Sequence, residues 1–137
     1  MEERRMLIVD DEKPIRLAVR QYFRAQGWEV DEAADPETAI GLLGVLHYDV
    51  VIADLRLDPR DDQSGFRVVR EARDAQPDCF VVMLTAYGDE SVMHRAWDEG
   101  AHAFFLKPIA LDRLSQLISA LPEALGSAGG HLGGLPS

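Results

Sequence analysis

Residues 6–15 read Met6-Leu7-Ile8-Val9-Asp10-Asp11-Glu12-Lys13-Pro14-Ile15. The opening apolar run is too short for a buried helix and unbroken enough for a strand covered on both faces. Beyond it, Ile15, Ala18, Val19, Tyr22 and Phe23 fall at i, i+3, i+4, i+7 and i+8, the stripe of an amphipathic helix. Pro14 is placed for the first turn of that helix and Gly27 for its end. Strand, paired acids and helix thus follow one another directly.

The same unit recurs outward along the chain. Four further apolar runs, Trp28 to Ala33, Val50 to Ala53, Cys79 to Leu84 and Ala103 to Leu106, read as strands bounded by turn or charged residues. Asp35-Pro36-Glu37-Thr38 is a cap with a first-turn proline, and Ala39, Leu42, Leu43 and Leu46 supply a second apolar helix face. A third helix starts near Ser64 and carries Phe66, Val69 and Ala72, and a fourth runs from about Asp89 through Val92, Met93, Ala96 and Trp97 to Gly100. The fifth carries Leu111, Leu114, Leu117, Ile118 and Leu121. Five alternations of strand and helix predict an α/β fold, a (βα)5 doubly wound parallel five-stranded sheet with helices on both faces. Residues 1–124 form the expected domain, and residues 125–137, where five of the chain's 11 glycines gather, read as a flexible tail or linker.

The 137 residues suffice for one domain with a sizeable core, and 47% apolar against 28% charged residues is an ordinary globular balance. With 14 basic against 24 acidic side chains the net charge is −10, which disfavours direct binding to nucleic acid or an anionic membrane and favours a cationic partner. Cys79, the single cysteine, sits in an apolar run and reads as a core thiol in a reducing compartment. With no apolar stretch of membrane-spanning length and no signal-peptide layout, a cytoplasmic location is expected.

Four of the five strand runs end in a polar residue that can do chemistry: Asp10 and Asp11, Asp54, Thr85 and Lys107. In an open parallel sheet the carboxyl ends of the strands share one edge, and ligands bind there. If the first and third strands are neighbours, Asp10, Asp11 and Asp54 converge in one acidic pocket. Clustered carboxylates repel unless a cation neutralises them or one is protonated, and an all-oxygen donor set suits Mg2+, which commonly bridges carboxylates and phosphate. Lys107, one of only two lysines, is a point charge suited to phosphate, or to Asp54 in its absence, and Thr85 can donate a hydroxyl hydrogen bond. Each residue alone has a plainer reading: Asp11 as a helix N-cap, Asp54 and Thr85 as loop residues.

The ordered set Asp10-Asp11, Asp54, Thr85-Ala86 and Lys107-Pro108 resembles the receiver domain of two-component response regulators. That resemblance spans residues 5 to about 122 and implies a flavodoxin-like fold with strand order 2-1-3-4-5. It further implies that Asp54 is the phosphoacceptor, taking a phosphoryl group from a sensor histidine kinase or phosphotransfer protein. Mg2+ would be held by Asp10, Asp11, Asp54 and the backbone carbonyl of Arg56. Thr85 and Phe104 would be the switch residues, Lys107-Pro108 a cis peptide, and the surface of the fourth helix, fifth strand and fifth helix would control an unknown output domain or protein. Such a domain is a self-phosphorylating and autodephosphorylating signalling module rather than an enzyme. Arg56 and Tyr87 flank the site, where they would tune phosphoryl lifetime.

The segment Leu55 to Ser64 is about three residues longer than the common family pattern, and its acidic residues read as solvated. Arg16, Arg20 and Arg24 recur along one side of the first helix, either as a face for an acidic partner or as a solvated one. Two other functions compete: a receiver-like interaction domain that works without phosphorylation, and an aspartyl-phosphate phosphatase. The phosphatase generally needs an Asp-x-Asp pair after the first strand, and the sequence has Asp10-Asp11 instead. His47, His94, His102 and His131 lack metal-ligand spacing, and no Gly-rich phosphate loop or CxxC motif occurs.

Overall fold

The computed structural model describes residues 4–121 apart from Pro59, Asp62 and Tyr87. The expected tail, 125–137, and Tyr87 therefore lie outside the described residues. Five strands, β1 (Arg5–Val9), β2 (Glu29–Ala33), β3 (Val50–Asp54), β4 (Phe80–Thr85) and β5 (Ala103–Leu106), alternate with five helices. The helices are α1 (Lys13–Arg24), α2 (Pro36–Leu43), α3 (Gly65–Ala75), α4 (Glu90–Glu99) and α5 (Leu111–Ser119). All strand pairs are parallel, as the alternation of strands and helices predicts, and the order is β2-β1-β3-β4-β5, as the family resemblance implies.

The apolar runs are continuous because each strand feeds two cores, one residue to each face in turn. Leu7, Val9, Val51, Ala53, Val81, Met83 and Phe104 belong to one core, with side chains of α2, α3 and α4 such as Leu43, Val69 and Ala96. Met6, Ile8, Val50, Ile52, Val82, Leu84 and Phe105 belong to the other, with Val19 and Phe23 of α1 and Leu114 and Ile118 of α5. Burying one such aliphatic side chain contributes about 2 kcal/mol, so the two cores hold the strand register firmly. Cys79 is fully buried, and burial pushes its thiol up to about 12, as befits a core residue.

Local chemistry sets the helix ends. The Asp35 carboxylate accepts the Thr38 N–H at 2.7 Å and the Asp89 carboxylate accepts the Val92 N–H at 2.9 Å, each capping its helix. Gly100 ends α4 at φ 111°, a left-handed conformation that favours glycine. Four boundary expectations are corrected: Trp28 and Cys79 precede β2 and β4, and Leu46 and Leu121 lie beyond α2 and α5. Trp28 packs edge-on against Phe23 with centroids 6.3 Å apart. Leu46 is 37% exposed and outside the α2 face, because that helix stops at Leu43 with Gly44 as its cap.

Gly65 fixes how α3 enters the fold. A Cβ at this position would lie 2.1 Å from the Asp54 carbonyl oxygen and 2.7 Å from Leu55 Cα, both backbone atoms that cannot step aside. Its N–H donates to the Leu55 carbonyl at 2.6 Å, closing the longer segment at its base. Gly65→Ala should therefore lower the stability of the chain by about 2 kcal/mol or more, read as a lower urea midpoint with an unchanged m-value.

Candidate functional site

Register brings the polar strand ends together. Val9 pairs with Ala53, so Asp10 and Asp54 are the next residues on adjacent strands. Lys107 follows β5, tied by its N–H to the Thr85 carbonyl at 2.8 Å. Because Ile8, Ile52 and Phe105 face the α1/α5 core, residues two positions further, Asp10, Asp54 and Lys107, emerge on that same side. There the Lys107 Nζ lies 2.8 Å from Glu12 Oε2, 3.1 Å from Asp10 Oδ2 and 3.2 Å from Asp54 Oδ2.

Burial makes this cluster electrostatically tense. Asp10 is fully buried; its Oδ1 accepts the Glu12 N–H at 2.9 Å, while its Oδ2 has no hydrogen-bond partner. Lys107 is within ion-pair distance of that oxygen but off the hydrogen-bonding direction, so the contact is coulombic. Burial raises the Asp10 carboxyl more than the Glu12 N–H and Lys107 lower it. Asp54, 4% exposed, is pushed up to about 7 by burial and then by the charge of Asp10, which together outweigh Lys107. Burial would depress the Lys107 ammonium, yet Glu12, Asp54 and Asp10 prevail and hold its proton more tightly than in a free lysine.

The donor set fits a hard divalent cation. Asp10, Asp11 and Glu12 each offer a carboxylate oxygen, and these atoms lie within 4.8 Å of one another. The buried, unpartnered Asp10 Oδ2 points to a cation beyond Lys107. Asp54 joins this cluster across the Lys107 ammonium rather than by direct grouping with Asp10 and Asp11.

Beside the cluster opens a cleft of about 730 Å³ lined by Asp11, Glu12, Asp54, Arg56, Thr85 and Lys107, among others. Asp11 and Arg56 are exposed, and the N-cap of α1 is Glu12 rather than Asp11. Thr85 is buried at the end of β4 and borders the same cleft. By strand alternation Thr85 and Phe104 lie toward the α3/α4 side, opposite in parity to the charged trio; Phe104 is 6% exposed and its ring centre is 6.4 Å from that of Trp97. The Lys107-Pro108 peptide is cis.

Arg16 and Arg20 do not form a free basic face: their guanidinium groups reach Glu32 at 3.1 and 2.7 Å. The longer segment is closed on itself. Ser64 Oγ accepts the N–H groups of Leu57 and Asp58 at 2.8 and 3.0 Å, and the Asp58 and Asp61 carboxylates accept the Arg60 and Gln63 N–H groups. Sequence reasoning missed Glu12 and Gln63. Glu12 carried only the signal of a third acid after the strand, and Gln63, which lines the cleft and binds Arg95 of α4, carried none.

The family model for the response regulator receiver domain matches residues 6–119. The chain belongs to this family. It is a receiver domain of the two-component response regulators, a signalling domain, and relatives include transcriptional regulators. The regulatory protein AtoC of Escherichia coli is 33% identical over 114 residues, covering 83% of this chain and 24% of AtoC. The transcriptional regulatory protein PdtaR of Mycobacterium tuberculosis is 34% identical over 123 residues, covering 89% of this chain and 57% of PdtaR. This receiver domain thus spans about a quarter of one relative and just over half of the other. A Burkholderia pseudomallei response regulator crystallised with a phosphorylated aspartic acid, calcium ion and citrate has a TM-score of 0.77 and 23% identity, covering 92% of this chain and 71% of that one, a likeness of fold.

The raised Asp54 carboxyl has a sign that can be checked. The folded protein holds the Asp54 proton up to about 7, whereas the unfolded chain releases it near 3.8, so between those values the native state binds more protons. Stability must then fall as pH rises through that window. In chelator, Asp54→Asn should be more stable than the parent at pH 8 by about 2 kcal/mol and nearly equal at pH 4, measured by urea unfolding. A variant less stable than the parent at pH 8 would contradict this electrostatic account.

Proposed function

We propose that this receiver domain accepts a phosphoryl group on Asp54 from the phosphohistidine of a sensor histidine kinase or phosphotransfer protein, in a Mg2+-dependent step. The observation that carries the proposal is the Lys107 ammonium held 3.2 Å from a buried Asp54 carboxylate at the open edge of a parallel sheet. An Asp54 carboxylate oxygen attacks phosphorus in line, the phosphorus–nitrogen bond breaks, and the imidazole leaves with its electron pair and takes up a proton. Asp10, Asp11, Asp54 and the Arg56 carbonyl would hold the metal, with Glu12 close enough to the acids to bear on it. Bound Mg2+ supplies positive charge to the transferring phosphoryl oxygens. Lys107 stays charged throughout, because its neighbours hold its proton, and offers that charge to the same oxygens.

The phosphorylated Asp54 then shifts a two-state equilibrium. Thr85 donates its hydroxyl to the phosphoryl group, Phe104 follows on the same side of the sheet, and the surface of α4, β5 and α5 changes for an output domain or protein. Trp97, which packs near Phe104, is the natural reporter of that change. Among the described residues no helix is long and apolar enough to cross a membrane.

Incubation with Mg2+ and acetyl phosphate should add one phosphoryl mass and change Trp97 emission. Asp54→Ala, folded by circular dichroism, should show neither. Lys107→Ala should retain some phosphorylation without the emission change. A parent that takes up neither acetyl-phosphate phosphoryl nor beryllofluoride in Mg2+ would instead favour a receiver-like module that signals without phosphorylation.

A further inference from the structure

We propose that Glu12 is a positioning residue that tethers the Lys107 ammonium in the resting state and competes with the phosphoryl group for it. This rests on the reading of Asp54 as phosphoacceptor and concerns what the ammonium must leave behind.

Glu12 occupies the N-cap of α1, a position that favours Ser, Thr, Asp or Asn, yet its side chain makes no capping hydrogen bond. Its carboxylate reaches instead across 95 positions of sequence to Lys107. That 2.8 Å contact is the shortest of the three the ammonium makes with carboxylates. The Glu12 backbone is fixed on both sides: its N–H donates to Asp10 Oδ1 at 2.9 Å, and its carbonyl accepts from Ile15 and Arg16 at 3.1 and 3.2 Å.

Three carboxylates lie within 3.2 Å of the ammonium. A phosphoryl group on Asp54 takes over the Asp54 share of that contact, and it draws Lys107 closer to the extent that the other two carboxylates release it. Asp10 is locked at a strand end with its side chain 0% exposed, and releasing it would strand a buried charge. Glu12 is 57% exposed, so water replaces the lysine at little cost. The exchange therefore runs from Glu12 to the phosphoryl group, and the Glu12 contact biases the equilibrium toward rest.

The size of the effect follows from exposure. An ion pair of this kind is weak, so its loss should tighten phosphoryl-mimic binding only about two- to fivefold at low salt. Beryllofluoride is titrated at saturating Mg2+ and read by fluorine NMR, for the parent, Glu12→Gln and Glu12→Asp. Glu12→Gln removes the charge; Glu12→Asp keeps it but is too short to hold the ammonium. Both should lower the beryllofluoride midpoint by about two- to fivefold, and the gain should fade at high salt. Glu12→Asp should also bind Mg2+ alone within about threefold of the parent, since the tether is not a required ligand. Tightening in Glu12→Gln alone, no tightening in either, or a larger loss of Mg2+ affinity in Glu12→Asp would each overturn the proposal. A parent that takes up no beryllofluoride at all would overturn the phosphoacceptor reading beneath it, a distinct failure.

Discussion

One ammonium among three carboxylates organises the functional edge of this protein. Asp10 and Asp54 follow paired residues on neighbouring parallel strands, and two buried anions so placed would repel strongly. Lys107 offsets that repulsion incompletely: the Asp54 carboxyl remains raised and one oxygen of Asp10 lacks a hydrogen bond. The site is thus poised for additional positive charge. A well-satisfied salt bridge would have removed the drive to bind a cation, whereas a lone acidic pair would have opposed folding at neutral pH.

How much of this was legible in the sequence follows from the pleat of a strand. A residue that directly follows an apolar run inherits the register of that run, so Asp10, Asp54, Thr85 and Lys107 could be placed at one edge once the strands were recognised. Their partition between the two faces is equally a matter of parity: the charged trio continues the positions that feed the α1/α5 core, while Thr85 and Phe104 continue those that feed the other. Glu12 escaped because it sits at the N-cap of a helix, beyond the strand, where no alternation fixes its direction. The exact end of α2 escaped as well, since Leu46 extends the apolar period past the glycine that stops the helix.

The segment from Leu55 to Ser64 shows how a loop beside the site is held at its base. Its base is pinned by two contacts that leave no slack: Gly65 against the Asp54 and Leu55 backbone, and the Ser64 hydroxyl accepting two N–H groups from Leu57 and Asp58. Between those anchors the Asp58 and Asp61 carboxylates accept the N–H groups of Arg60 and Gln63, two residues further along. Neither the sequence of this stretch nor its charge forecasts this closure, because it depends on a glycine that admits the backbone and a serine that faces back across the loop.

The two faces of the sheet divide the labour between charge and packing. On the α1/α5 side, ion pairs of a few ångströms decide which groups hold a proton or a cation, and they respond to a single new charge. On the other side, Phe104 and Trp97 lie in a close-packed core whose side chains have few intermediate positions. Thr85 borders the cleft at the end of a strand whose odd positions feed that second core. Asp54 and Thr85 thus border one cleft from opposite parities of the sheet, and the strand that carries Thr85 is the wall between the two environments.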